Sequence, residues 1–205
     1  MTLSFRPALP EDAPCAAPLI HSAGPAMLDY AFSVKKHAAI DFVGFAFGDG
    51  YGILGYANHV AAESGGRVAA VGAFYPASDF ERLSREMVWQ VFRFYGILKG
   101  VRVLRQSARL EALTPHPRKD ALFIQNIGVV PEMRGKGICT ALLENRIELA
   151  RQAGYRACVL DVAVTNTRAR RLYEKFGFRV VAKHRWPYPE SSIRVPDHIR
   201  MERIL

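Results

Sequence analysis

The segment from Ile127 to Thr140 (IGVVPEMRGKGICT) holds residue types that can bind phosphate. Gly135 and Gly137 remove side chains where the backbone would have to come close to a ligand, and Arg134 and Lys136 add positive charge. If a helix begins here, its first N–H groups lack partners and the positive end of its dipole faces the same space. That arrangement suits a pyrophosphate. Two other phosphate motifs do not fit. A P-loop has Ser or Thr directly after its Gly-Lys pair, but Lys136 is followed by Gly137. A dinucleotide fingerprint needs a third glycine near Thr140. A plain glycine-containing turn is the alternative reading.

The flanking residues predict the elements that would hold this turn. Leu122 to Val130 reads as a strand closed by Pro131, and Arg134 to Gln152 as a helix with Ile138, Leu142 and Leu149 on one face. Gly154 fits just beyond its end. Cys158 to Val164 reads as a strand, Thr167 to Phe176 as a helix stopped by Gly177, and Phe178–Arg185 and His198–Ile204 as two last strands around the proline-rich segment Trp186–Pro196. Upstream, residues 2–6 alternate as a short strand, and Glu11 to His21 forms a helix that Gly24-Pro25 breaks. Residues 26–47 predict one or two helices around Lys35-Lys36-His37. His59–Glu63 and Val68–Tyr75 predict a hairpin across Ser64–Arg67. From 79 to 113, Phe80, Leu83, Met87, Val91, Phe94, Leu98 and Val101 recur at helical spacing with seven Arg and Lys residues between them. This reads as amphipathic helix with a solvated basic face, or more sharply as a surface for an acidic substrate or a membrane.

The alternation of strand, phosphate-type turn, helix, strand, helix and strand predicts an α/β fold in one domain of 205 residues. No run approaches the roughly 20 apolar residues of a membrane span. The N-terminal residues, with Pro7, Pro10 and Pro14, do not resemble a signal peptide. Cys15, Cys139 and Cys158 are odd in number and not spaced as metal ligands, so reduced thiols in a cytoplasm, and no metal, are expected. Against 19 acidic residues stand 28 Lys and Arg, a net charge of +9, which attracts polyanions: nucleic acid, or a phosphate-bearing small molecule.

Together these motifs resemble the GCN5-related N-acetyltransferase superfamily, over about Leu122 to Val180. The family's acyl-CoA signature is Arg or Gln, two residues, Gly, one residue, then Gly or Ala. It corresponds here to Arg134, Gly135, Lys136, Gly137, Ile138 and Cys139. The stretch Asn166 to Phe178 (NTRARRLYEKFGF) resembles the second motif, with Tyr173 seven residues after Asn166. Phe5-Arg6-Pro7-Ala8 followed by Glu11-Asp12 resembles the usual opening. The resemblance implies a mixed, splayed central β-sheet flanked by helices, opened at the strand 122–130, with the segment 79–116 as a helical insertion before that strand. It also implies acetyl-CoA as co-substrate and direct attack by an amine on the thioester, through a tetrahedral oxyanion.

The resemblance assigns roles residue by residue. Arg134, Gly135, Lys136, Gly137, Ile138, Cys139 and Thr140 would hold the pyrophosphate. Backbone groups of Ile127, Gly128 and Val129 would pair with the pantetheine arm, and Asn166 would hydrogen-bond the cofactor or cap its helix. Tyr173 would bind next to the thioester and protonate the departing sulfur, or be a core aromatic. Many relatives carry a Glu in the strand that here has Gln125 and Asn126. Asp161 matches the position of a carboxylate base in relatives that acetylate ribosomal-protein N-termini, or it is a structural acceptor. His59, His116 and water are the other base candidates. Cys139 reads as a small packing residue, or as a thiol activated at a helix N-terminus.

The function implied is acetyl transfer from acetyl-CoA to a small-molecule amine or a peptide amine, with homodimerisation left open. A non-catalytic acyl-CoA sensor is the alternative, favoured by the missing strand carboxylate. A nucleic-acid module is disfavoured because no recognised binding motif accompanies the charge.

Overall fold

Among the described residues, seven strands form one open sheet in the order β1-β2-β3-β4-β5-β7-β6. The computed structural model describes residues 3–190 and 193–205; Thr2 of the expected first strand and two residues of the proline-rich segment lie outside them. β1 (Leu3–Pro7), β2 (His59–Ser64), β3 (Arg67–Pro76) and β4 (Ala121–Val129) pair antiparallel in succession. Gly65 and Gly66, both at positive φ, make the two-residue loop between β2 and β3 that matches the twist of the paired strands.

β5 (Ala157–Ala163) runs parallel to β4, but only from the pair Ala121–Ala157 to the pair Ile124–Leu160. Beyond that point β5 continues alongside β7 (His198–Ile204), which also pairs with β6 (Arg179–His184). Residues 125–129 of β4 therefore have no strand on their β5 side, and the sheet splays there. A bulge lies at the same place. Val71 opposes Gly128 and Ala73 opposes Gln125, so two residues of β4 face Gly72 alone, with Asn126 at φ 55°. Gly128 has a reason of its own to be glycine: a Cβ there would lie 2.3 Å from the Leu19 carbonyl oxygen of the helix packed on β4.

That helix is α1 (Ala13–Ala23). With α2 (Pro25–Phe32), α3 (Ala39–Asp49) and α4 (Phe80–Leu110), it builds a core around the fully buried Phe42 and Phe47. The Lys35-Lys36-His37 segment is the turn between α2 and α3. α5 (Ile138–Gln152) and α6 (Thr167–Lys175) pack on β4, β5 and β7 around Leu143, Leu160 and Met201. No helix among the described residues is long and apolar enough to cross a membrane.

Two sequence expectations need correction. α5 begins at Ile138 and not at Arg134, because Gly135 and Gly137 take φ near +80° and keep the turn out of the helix. The 79–113 stripe does not stay in phase: Gly96, at φ 73° and ψ 174°, kinks α4. Leu98 is consequently 90 % exposed, while Val103 and Leu110 take the buried positions.

Candidate functional site

The splay opens into a cleft of about 1260 Å³, bounded by β4, β5, the turn before α5, α6 and the inner sides of α2 and α4. At its phosphate-type end, Gly135 and Gly137 point their missing Cβ positions into open space. Gly137 is the N-cap of α5 and no side chain caps that end, so the N–H groups of Ile138, Cys139 and Thr140 are left for a ligand. Ile138 is buried against Ala62, Ala69 and Ala70, which fixes the helix start to the sheet. Arg134 donates from Nε to the Val129 carbonyl at 3.0 Å and lines the cleft. Lys136 does not line it and lies instead against the Met133 sulfur. An acetyl-CoA molecule fits these features: an uncapped helix end, an open glycine turn, and the edge of residues 127–129, which no strand covers, running toward it.

Asn166 caps α6, its Oδ1 accepting from the Ala169 N–H at 3.1 Å, and it also lines the cleft. About two turns further along, Tyr173 packs its ring 5.9 Å from that of Phe178 and lies beside Cys139. Burial, with a smaller contribution from Cys139, raises the Tyr173 hydroxyl pKa above its ordinary value. Its hydroxyl makes no hydrogen bond among the described residues, so it keeps its proton and is free to donate it. Burial likewise pushes the Cys139 thiol up to about 11, which argues against an activated thiol. Cys139 is a small packing residue at the cleft wall.

Asp161 is paired. Arg200 on β7 donates from Nε to Oδ1 at 3.0 Å and from Nη2 to Oδ2 at 2.7 Å, and both side chains are nearly excluded from solvent. The same guanidinium donates to the carbonyls of Pro115 and His116, tying the turn before β4 to the sheet. Desolvation raises the Asp161 pKa and outweighs the lowering by Arg200. Gln125 accepts a hydrogen bond from the Tyr75 hydroxyl at 2.7 Å. His116 lines the cleft with its ring edge-on to Phe80. His59 does not reach the cleft. It is buried against Phe47 with Nδ1 2.8 Å from the Gly55 carbonyl, and burial lowers its pKa to about 4, so it leaves the set of base candidates.

The profile of the Acetyltransferase (GNAT) family matches residues 29–178, most of the chain. The chain belongs to the GNAT acetyltransferase family. An uncharacterised N-acetyltransferase of Methanocaldococcus jannaschii is 39 % identical over 61 residues, 30 % of this chain and 27 % of that protein. The chain thus spans about a quarter of that relative's length. Among solved structures, one described as an acetyltransferase is 25 % identical, covers 98 % of both chains and superposes with a TM-score of 0.69. An N-acetyltransferase from Staphylococcus aureus Mu50 is 18 % identical, covers 98 % of this chain and 100 % of its own, and has a TM-score of 0.73.

In this GNAT protein the sequence reading missed two groups of site residues. Arg168, Arg171 and Lys175 line the cleft from α6. Their spacing of three and four residues places them on one helical face, a signal that was available. His198 and Arg200 were read only as part of a final strand. Alternating charged side chains on a strand interior to the sheet are unusual, and that pattern could have marked them. His198 is 6 % exposed, lines the cleft, and opposes Ala163 on the sheet face that carries Asp161. Its Nδ1 lies 2.9 Å from the Pro196 carbonyl, so in the neutral ring Nδ1–H donates there and Nε2 carries the lone pair. Burial lowers its pKa, against smaller opposing contributions from the Pro196 carbonyl and the charges of Asp161 and Asp197.

Proposed function

We propose that the chain transfers an acetyl group from acetyl-CoA to a primary amine by direct attack, in the reducing environment of a cytoplasm. The observation that carries this reading is an uncapped helix end and an open glycine turn in the same cleft as the Tyr173 hydroxyl, which has no hydrogen-bond partner among the described residues. The N–H groups of 138–140 hold the pyrophosphate, and Arg134, Arg168, Arg171 and Lys175 neutralise phosphate charge. The β4 edge at Ile127 and Val129 aligns the pantetheine arm as an added strand would. Tyr173 donates its proton to the departing sulfur. His198, through Nε2, accepts the proton of the attacking amine. Asp161 is not the base in this reading, because the Arg200 fork occupies both of its carboxyl oxygens.

A test of the base measures CoA release against pH for the wild type and for His198→Gln. A base must be neutral to act, and the folded pKa of His198 lies below the usual 6.5. Wild-type activity is therefore expected to hold at neutral pH and to fall as pH drops through that lowered value. His198→Gln is expected to lose about 10²-fold in kcat, at the low end for acid–base catalysis because water can still accept the proton. It should also lose the acidic limb while binding acetyl-CoA as before. Full activity with an unchanged limb would return the role to Asp161. A protein that binds acetyl-CoA and releases no CoA with any amine would favour the sensor reading.

A further inference from the structure

We propose that the acceptor is a small monoamine with a sizeable apolar body and no second charge. This rests on the acetyl-transfer reading above and names the substrate class of that same site.

The cleft divides chemically. Its cationic lining residues, Arg134, Arg168, Arg171 and Lys175, all belong to α6 or to the turn before α5. The other end is walled chiefly by Met27, Leu28, Leu54, Phe80, Met87 and Leu104, from α2, the segment before β2, and α4. The hydroxyls of Ser84 and Thr114, which also line it, are committed to the Phe80 and Leu110 carbonyls, and that of Ser107 has no partner among the described residues. Four of the apolar residues, Met27, Leu28, Met87 and Leu104, are partly buried against the helical core and so form a fixed apolar surface. An amine that enters between the apolar end and Tyr173 must lay its body on that surface.

The charged groups present exclude other acceptors. Two carboxylates line the cleft, Asp161 and Glu111. Arg200 already neutralises Asp161, and Glu111 stands exposed just past the end of α4, without an ion pair among the described residues. A polyamine would have to bring a second or third ammonium against Met and Leu side chains with one solvated carboxylate for compensation, which costs more than it returns. An amino acid would need a cation for its α-carboxylate at the apolar end. The cationic lining residues all lie on α6 or the turn before α5, and Arg200, beside Asp161, is committed to that carboxylate and to two backbone carbonyls. A monoamine whose attacking nitrogen becomes neutral at His198 leaves nothing charged on the apolar wall.

The experiment measures CoA release from acetyl-CoA with propylamine, butylamine, hexylamine, phenethylamine, spermidine, phenylalanine and a short peptide with an apolar N-terminal residue. The expected kcat/KM rises about fourfold per added methylene across the alkylamines. Phenethylamine should exceed spermidine, phenylalanine and the peptide by at least about tenfold. Ala108→Glu is the companion variant, because Ala108 lines the same end, is exposed, and takes no part in the core. It should raise kcat/KM for spermidine and lower it for phenethylamine. Release with spermidine, phenylalanine or the peptide at or above the phenethylamine rate would overturn the substrate class and leave acetyl transfer standing. No dependence on alkyl length would overturn it too. No release with any amine, from protein shown to bind acetyl-CoA, would sink both.

Discussion

Gly137→Glu is expected to abolish acetyl-CoA binding, lowering affinity by at least about 10²-fold, because like charges in contact cost several kcal/mol. The Cβ direction at Gly137 opens into the cleft with no protein atom within 4 Å, so the new carboxylate would project where the phosphates belong. It would also set a negative charge at the uncapped N–H groups of α5 and occupy them. Gly137 has φ 80°, so any other L-residue adds strain of about 1–2 kcal/mol. Gly137→Ala carries the same strain without the charge and is the control. The two variants should melt at similar temperatures, with the alanine variant retaining acetyl-CoA within several-fold in calorimetry. Equal binding by both would mean that the pyrophosphate lies elsewhere.

Tyr173→Phe is expected to lower kcat by roughly 10²–10⁴-fold with little change in the affinity for acetyl-CoA. The hydroxyl makes no hydrogen bond among the described residues, and the ring keeps its packing against Phe178 and the α5–α6 core. Removing the oxygen thus takes away no native contact, and the loss would report an interaction made in the transition state. The raised pKa adds a pH signature. The acid is active while protonated, so no basic limb from Tyr173 should appear up to its ordinary value of 10. Unchanged kcat would demote Tyr173 to a packing aromatic. A large fall in melting temperature would make the hydroxyl structural.

What the sequence disclosed of this fold is what neighbouring residues encode. The β4 strand, the glycine turn and the Asn166-to-Tyr173 spacing lie within short stretches, and alternation or helical period exposes them directly. The splay was reached through the resemblance. The bulge at Asn126 went unread because nothing near it announces a left-handed residue inside a strand. The phase slip at Gly96 has the same origin: a helical stripe continues in the letters while the backbone turns. The least legible part is the pairing of Asp161 with Arg200, 39 residues apart, together with the capture of the Pro115 and His116 carbonyls by the same side chain. Register between β5 and β7 creates that cluster, and it ties the Asp161 carboxyl, whose pKa desolvation raises, to Arg200. His198 enters the cleft by the same register. The apolar end of the cleft is assembled from segments before β2 and before β4, outside the stretch that carries the family motifs.

The most direct test of the central claim is calorimetric titration of the wild-type protein with acetyl-CoA. Binding in the micromolar range, weakened by salt because the contacts are to phosphate, is the predicted result. No heat of binding up to millimolar acetyl-CoA would contradict the account of the cleft as an acyl-CoA site.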